Sequence, residues 1–198
     1  VPEVATDQPR YMDFAAGETH TVIFQVKRPG LYDATTLGLL ATSCWLRSPL
    51  VEKLAQDTGS GRGRNCLVAQ YLRPGRYLLS VQTQGRSAGR GAVVLSARPV
   101  REGPKVEVAQ LQPDEAFFQA SERELVKETV SIGRDGRYQL STSAQGATLR
   151  CRLEDEGGWP VAAVPMPCEG ERELKRGRYQ WLQLPLSVAS QRHTQLIR

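Results

Sequence analysis

Four copies of a Gly-x-Tyr sequence occur in the chain as two pairs. They are Gly30-Leu31-Tyr32, Gly75-Arg76-Tyr77, Gly136-Arg137-Tyr138 and Gly177-Arg178-Tyr179. The second pair follows the first by 106 residues at one tyrosine and by 102 at the other. A shift of this length indicates that a whole domain was duplicated.

The four cysteines occupy equivalent places in the two halves. In each half the first cysteine follows the first tyrosine by 12 or 13 residues, and the second precedes the second tyrosine by 11. Of the three possible pairings, the duplication favours Cys44 with Cys66 and Cys151 with Cys168. A zinc site is the alternative, but it needs close pairs such as Cys-x-x-Cys, which are absent. Stable disulfides indicate an oxidising compartment, either periplasmic or extracellular.

Apolar residues alternate with other residues before the repeated sequences, as they do in half-buried β-strands. Val22, Phe24 and Val26 precede the first copy, and Val130 and Ile132 hold the corresponding places before the third. Further strands are predicted at residues 92–97, 149–153 and 179–184. In the two copies preceded by proline, Gly30 and Gly75 are expected to take a positive φ in a Pro-Gly turn. The tyrosine of each copy is expected to be half-buried in the following strand. One helix is predicted at residues 49–56, with Ser48 as its cap.

These patterns predict an all-β protein of two tandem β-sandwich domains with one disulfide in each. Jelly-roll and immunoglobulin-like topologies both remain open, since the sequence does not determine strand order. We expect the first domain at residues 1–98, a linker at 99–113 that carries a short strand, and the second domain at 114–198.

Composition argues against several classes of partner. The net charge of +5 comes from scattered arginines rather than from a basic stripe with aromatic residues, so no nucleic-acid partner is expected. No apolar stretch is long enough for a transmembrane segment, and the N-terminus lacks the features of a signal peptide.

No group of residues predicts catalysis, so we expect a protein that is not an enzyme and has no cofactor or metal. Residues 85–89 match the letters of a Gly-x-Ser-x-Gly nucleophile elbow, but a strand rather than a helix is predicted to follow. The two histidines, His20 and His193, lie near opposite ends of the chain. The acidic run at residues 154–156 is expected to be a solvated turn rather than a calcium site.

Two loops supply candidate interaction residues. The glycine-rich loop at residues 59–64 lacks the order of a phosphate-binding loop, so we expect a mobile surface loop. Its Arg62 and Arg64 are candidate residues for binding an acidic partner. Trp45 and Trp159 lie in loops near the cysteines. If these side chains and that of Trp181 are buried, they belong to the core. If they are exposed, they suggest a surface that stacks on carbohydrate.

The halves resemble the prepeptidase C-terminal type of β-sandwich, whose units repeat a strand, a Pro-Gly-x-Tyr turn and a strand. Residues 151–155, 158–160 and 174–179 also resemble segments of large periplasmic bacterial proteins related to alpha-2-macroglobulin. This chain lacks the Cys-Gly-Glu-Gln thioester sequence, since Cys168 is followed by Glu169 and Gly170. The resemblance therefore implies the subtype without a thioester, and a scaffold role in any protease trap.

The expected function is a non-catalytic protein-interaction or scaffold module of an exported bacterial protein. Its partner would be a protein of the same compartment, either a protease or a subunit of the same protease-trapping complex. The alternative is a module that binds carbohydrate or the cell envelope through its tryptophans.

Overall fold

A computed structural model describes residues 1–103, 105–107, 116–119, 124–144, 149–162, 166–185 and 191–197. Every regular element of this part of the chain is a β-strand. The chain divides into two compact units, Val1–Arg98 and Pro99–Arg198. Within the described residues, no helix is long and apolar enough to cross a membrane.

The first unit contains nine strands in two sheets. They are β1 (Glu3–Val4), β2 (Arg10–Phe14), β3 (Thr19–Val26), β4 (Gly30–Leu37), β5 (Thr42–Arg47), β6 (Ala55–Thr58), β7 (Leu67–Leu72), β8 (Gly75–Thr83) and β9 (Gly89–Ala97). One sheet has the order β1-β3-β8-β5-β6 and the other β2-β9-β4-β7. All neighbours are antiparallel except β1 and β3. The strand predicted at residues 92–97 is confirmed as β9.

Both sheets of the first unit contribute side chains to one hydrophobic core. Val22, Phe24 and Val26 of β3 are buried in it, as their alternation predicted. From the other sheet, Ala34 of β4 and Leu95 of β9 belong to the same cluster. The core therefore lies between the two sheets.

The second unit repeats this arrangement. Its strands are β10 (Val100–Glu102), β11 (Val106–Glu107), β12 (Ala116–Gln119), β13 (Leu125–Ile132), β14 (Gly136–Ala144), β15 (Leu149–Glu154), β16 (Glu169–Leu174), β17 (Gly177–Pro185) and β18 (Gln191–Ile197). One sheet has the order β10-β13-β17-β15, with β11 also paired to β13, and the other has β12-β18-β14-β16. This matches the strand order of the first unit with two differences: β10 and β11 both pair with β13 where β1 alone pairs with β3, and two isolated bridges of β15, to Pro160 and Met166, take the place of β6.

The expected linker region, residues 99–113, contains two of these strands. Both β10 and β11 run parallel to β13, as β1 runs parallel to β3 in the first unit. Residues 100–102 and 106–107 therefore pair within the second unit instead of only connecting the halves. The predicted strand in this region is present in the described residues as β11.

The repeated glycines are the first residues of strands β4, β8, β14 and β17. The prediction of a positive φ is wrong for Gly30, and Gly136 does not have a positive φ either. Gly75 and Gly177 are near-extended, with φ of 158° and 159°. The chain reverses before the glycine, and the glycine already pairs with the neighbouring strand, as Gly30 does with Leu72.

The helix predicted at residues 49–56 is absent. Ser48 does cap a turn, because its Oγ accepts hydrogen bonds from the Leu50 and Val51 amides at 3.3 and 3.0 Å. The turn then ends, since the Leu54 amide donates to the Leu46 carbonyl at 2.8 Å and starts the pairing of β6 with β5. Strand pairing thus replaces a helix that only a cap and two leucines favoured.

Each unit has its own disulfide, Cys44–Cys66 in the first and Cys151–Cys168 in the second. Their Cα atoms are 5.7 and 5.0 Å apart, within the usual range. Cys44 lies in β5 and Cys66 directly precedes β7, so the bond links the two sheets of the first unit. Cys151 in β15 and Cys168 before β16 link the sheets of the second unit in the same way.

Candidate interaction surface

Three loops meet at one end of the first unit, which we call the loop end. They are residues 38–41 between β4 and β5, residues 59–66 between β6 and β7, and residues 84–88 between β8 and β9. Strand register brings them together, because Thr42 pairs with Thr83 and Thr35 pairs with Leu67.

Direct hydrogen bonds join the three loops. The Thr42 amide donates to the Arg64 carbonyl at 3.0 Å, and the Gln84 amide donates to the Ala41 carbonyl at 2.8 Å. The Ala41 amide donates to Ser87 Oγ at 2.9 Å. The loop end is therefore one connected structure.

Asn65 is the central side chain of this network. It is buried, and its Nδ2 donates to the carbonyls of Gly38 and Arg62, each at 2.8 Å. Its Oδ1 accepts from Thr36 Oγ1 at 2.9 Å. Thr42 Oγ1 lies 2.6 Å from Thr36 Oγ1 and accepts from the Cys66 amide. These contacts satisfy the donors and the acceptor of the buried amide side chain.

The glycines of the same loop are required by its close turns. Gly63 has φ of 71°, in the left-handed region that favours glycine. A Cβ added to Gly61 would lie 2.8 Å from the Asn65 carbonyl oxygen. The loop at residues 59–64, expected to be a mobile surface loop, is joined to the rest of the unit by the hydrogen bonds of Asn65 and by the Cys66 disulfide.

Asp57 in β6 holds the start of this loop. Its Oδ2 accepts hydrogen bonds from the Ser60 and Leu67 amides at 3.1 and 2.9 Å. Burial raises the pKa of Asp57, but the hydrogen bonds from Leu67, Ser60 and Thr58 together outweigh burial and lower the pKa below its ordinary value of 3.8. The hydrogen-bonding capacity of this carboxylate is therefore taken up by backbone amides of its own loop.

Exposed arginines surround this fixed structure. Arg62, Arg64 and Arg86 are all exposed, and Arg64 and Arg86 line one recess together with Ala41, Gln84, Gly85 and Ser87. Among the residues that the structure describes, none of the three arginines forms a salt bridge. The recess thus presents guanidinium donors that no described carboxylate occupies.

The neighbouring loop between β2 and β3 carries an acidic residue, Glu18, that already has partners. Its Oε2 accepts from the Ala15 amide at 2.7 Å, and its Oε1 lies 3.1 Å from His20 Nε2. The hydrogen bond from Ala15, followed by the nearby His20 imidazole, lowers the pKa of Glu18. Glu18 is thus bound within its own loop.

An exposed leucine lies in the first of the three loops, residues 38–41. The side chain of Leu39 is fully exposed, whereas the next residue, Leu40, is 4% exposed and belongs to the core. Leu40 anchors the loop and Leu39 projects from it. The loop end therefore combines guanidinium groups with one apolar side chain.

The three tryptophans differ in exposure. Trp45 in β5 is half-buried, and Trp159 of the second unit is 62% exposed in a turn where its amide donates to Asp155 Oδ1 at 3.0 Å. Trp181 is fully buried, and its Nε1 donates to Thr142 Oγ1 at 2.8 Å. Trp181 therefore belongs to the core, which was one of the two predicted alternatives, whereas Trp159 does not.

The acidic run at residues 154–156 is only in part the expected solvated turn. Glu154 is buried and its Oε1 accepts a hydrogen bond from Arg152 Nε. No group of three or more metal-ligating side chains occurs among the residues that were described.

Ser87 and His20, the other residues considered for catalysis, have structural partners. Ser87 Oγ accepts from the Ala41 amide, and His20 lies against Glu18 and, edge-to-face, against Phe14. Residues 85–89 lead into strand β9, whereas a nucleophile elbow leads into a helix. The side chain of His193 lies outside the described part of the chain.

Sequence reasoning missed Leu39, Asn65 and Arg86. A signal for Arg86 was present, since Gly85-Arg86-Ser87 is a second glycine-rich segment with an arginine. No local pattern marked Asn65 or Leu39, because their importance depends on contacts and exposure that arise only when loops distant in sequence meet.

No protein-family model and no curated protein matches the chain. Among solved structures it is similar to the pre-peptidase C-terminal domain of a collagenase from Bacillus anthracis, with 15% identity over 48% of this chain and 92% of that one, and a TM-score of 0.42. An anti-sigma factor domain-containing protein shares 12% identity over 95% and 85%, with a TM-score of 0.32.

A third similar structure is dimeric latent PorU from Porphyromonas gingivalis, with 8% identity over 92% of this chain and 18% of that one, and a TM-score of 0.25. Every one of these TM-scores is below 0.5, so none of the three likenesses establishes a shared fold or an activity.

Proposed function

We propose that this chain is a non-catalytic protein-interaction module of an exported protein, built from two tandem β-sandwich domains. The observation that carries the proposal is the loop end of the first unit, where a fixed structure presents Arg62, Arg64 and Arg86 without salt-bridge partners among the described residues. Interfaces between proteins are enriched in arginine and gain affinity from such preorganisation.

The sandwich architecture is supported by the two cores. In each unit both sheets contribute to one hydrophobic cluster, and a disulfide links the two sheets. Two sheets that share a core in this way make the layered arrangement of a β-sandwich. We propose residues 1–98 as the first domain and 114–198 as the main part of the second.

The exported location rests on the disulfides, because such bonds persist in the periplasm and outside the cell. We further propose that the chain belongs to, or docks on, an alpha-2-macroglobulin-like protease-trapping system of the periplasm. This part of the proposal rests on the sequence resemblance of residues 151–155 and 174–179. Since the chain lacks the thioester sequence, it would act there as a scaffold.

Affinity capture followed by binding of purified partners tests the proposal. The oxidised protein is used as bait in periplasmic and secreted extracts, and each captured protein is purified and titrated against it. We expect at least one protein that binds reproducibly and forms crosslinks to the bait. Capture of nothing that binds again after purification would contradict the interaction function.

The exposed Trp159 favours one second candidate, a module that binds carbohydrate. An exposed indole can stack on a sugar ring. In this case cell-envelope glycans would change the tryptophan fluorescence of the wild type, and the change would be absent in Trp159→Ala. Unchanged fluorescence across the glycans tested would contradict this candidate.

A further inference from the structure

We propose that the loop end of the first unit binds an acidic segment of a protein partner, with one carboxylate in the recess between Arg64 and Arg86. An apolar side chain of the same segment would pack on Leu39. This inference rests on the proposed interaction function and names the class of partner.

The chemistry of the recess fits a carboxylate. A guanidinium presents a planar set of N–H donors that matches the two oxygens of a carboxylate. Gln84 and Ser87 line the same recess, so polar side chains lie beside the guanidinium groups. The nearby carboxylates, Asp57 and Glu18, already accept hydrogen bonds within their own loops. The arginines are thus left to a carboxylate supplied from outside.

The loop end is ordered before any partner arrives. Asn65 joins residues 38–41 to the arginine loop, and the Cys44–Cys66 disulfide fixes the end of that loop. Binding therefore costs little backbone entropy, and only the arginine side chains need to become ordered.

Among its described residues, the second unit does not have the hydrogen-bond network of Asn65 at the equivalent places. Asn65 directly precedes Cys66, and the residue that directly precedes Cys168 is Pro167, which has no side-chain amide. Thr36 holds Asn65 in the first unit, whereas its counterpart Thr142 accepts a hydrogen bond from Trp181. The fixed loop end is therefore a feature of the first half that the common scaffold does not require.

A protein segment fits the loop end better than a lipid surface does. A recess accepts a projecting side chain, whereas a membrane presents a broad plane of headgroups. Leu39 is the large apolar side chain exposed on these loops, and one such residue buries too little area to hold a protein on a membrane.

A labelled peptide tests the proposal in the full oxidised chain. The probe is a fluorescein-labelled peptide in which aspartates and glutamates surround one leucine, and its control carries asparagine and glutamine in their place. We expect anisotropy to show binding of the acidic peptide alone, weakening as salt increases. Loss of two charge-assisted contacts in the double variant Arg64→Glu, Arg86→Glu should weaken binding roughly tenfold or more.

Two matched controls separate the loop end from general charge and general apolar exposure. Arg76→Glu reverses an exposed arginine at the start of β8, the end of the strand remote from the recess, and should leave binding within about twofold. Leu39→Ser should weaken binding, whereas Leu50→Ser, which changes a 96% exposed leucine beyond the other end of β5, should not.

Several results would overturn the proposal. These are equal binding of the neutral peptide, an equal loss of affinity in Arg76→Glu, or binding to vesicles of phosphatidylserine and phosphatidylcholine in place of the peptide. The affinity capture described above, repeated with the double arginine variant as bait, distinguishes failure of the acidic-segment inference from failure of the interaction function. A partner retained by the double arginine variant contradicts the acidic-segment inference alone, whereas the absence of any partner contradicts the interaction function itself.

Discussion

Each tyrosine of the repeated Gly-x-Tyr sequence donates its hydroxyl hydrogen to the carbonyl of the residue four positions earlier. The O–O distances are 2.8 Å for Tyr32 to Arg28, 2.9 Å for Tyr77 to Arg73, 2.7 Å for Tyr138 to Arg134 and 3.0 Å for Tyr179 to Lys175. The glycine two residues earlier lies under the ring, since a Cβ added to Gly30 would be 3.6 Å from Tyr32 Cε2. The motif thus closes a chain reversal, as a tyrosine corner does in immunoglobulin-like domains.

Removal of one such hydroxyl should destabilise the protein without changing its fold. We expect Tyr77→Phe to lower the free energy of unfolding by about 1 kcal/mol, because the partly buried Arg73 carbonyl loses its donor. Urea unfolding followed by circular dichroism measures the change. Tyr11→Phe is the control, since Tyr11 is 62% exposed, and an equal loss in both variants would contradict the role of the hydroxyl.

The carboxylate of Asp57 gives a prediction about pH. Its pKa is lowered in the folded protein, so its stabilising effect is complete above the ordinary value of 3.8 and is lost as the pH falls through the lower folded value. At neutral pH Asp57→Asn should therefore unfold at a lower urea concentration than the wild type, and the difference should shrink on acidification below about pH 4.

Urea midpoints measured across this pH range test that prediction. The control is Glu52→Gln, which changes an exposed carboxylate in the preceding loop. A wild-type advantage over Asp57→Asn that grows with acidity would contradict the assignment.

At the scale of elements, the two units share a strand order but use one equivalent core position differently. Leu79 lies two residues after Tyr77, and Trp181 lies two residues after Tyr179; both are fully buried. Only the tryptophan needs a hydrogen-bond acceptor, which Thr142 provides. The second unit thus fills its core with an indole where the first uses a leucine.

Substitution of the two tryptophans of the second unit should have unequal effects. We expect Trp181→Phe to cost about 2 kcal/mol, since it leaves a cavity and removes the Nε1 hydrogen bond. Trp159→Phe should change stability by less than about 0.5 kcal/mol, because the side chain is largely exposed. Chemical denaturation of both variants checks this, and similar losses would place Trp159 in the core.

The success of sequence reasoning varied from element to element. Strands β3, β13 and β17 were predictable, because their alternating apolar residues must face a core. Strand β6 was not, since its pairing with β5 overrides a local capping signal at Ser48. The interaction residues were predictable only in part: Arg62 and Arg64 stand out by composition, whereas Asn65 acts through contacts to Gly38, 27 residues away in sequence.

For the whole molecule, the duplication separates what builds the scaffold from what distinguishes this protein. Glycines, tyrosines, cysteines and strand order recur in both units, and all of them serve folding. In the second unit two isolated bridges of β15, Cys151 with Met166 and Glu154 with Pro160, take the place of the pairing of β5 with β6. Only Pro167 separates Met166 from Cys168, so the loop of residues 59–66 has no counterpart there. This difference is the reason why the proposed binding surface lies on the first unit.

The claim that each unit is a self-contained repeat is tested most directly by the disulfide pairing of the protein in solution. Non-reducing proteolysis followed by mass spectrometry should recover peptides that link Cys44 to Cys66 and Cys151 to Cys168, with no free thiol. Recovery of a linkage between Cys44 and Cys151, or between Cys66 and Cys168, would contradict the tandem repeat and the account built on it.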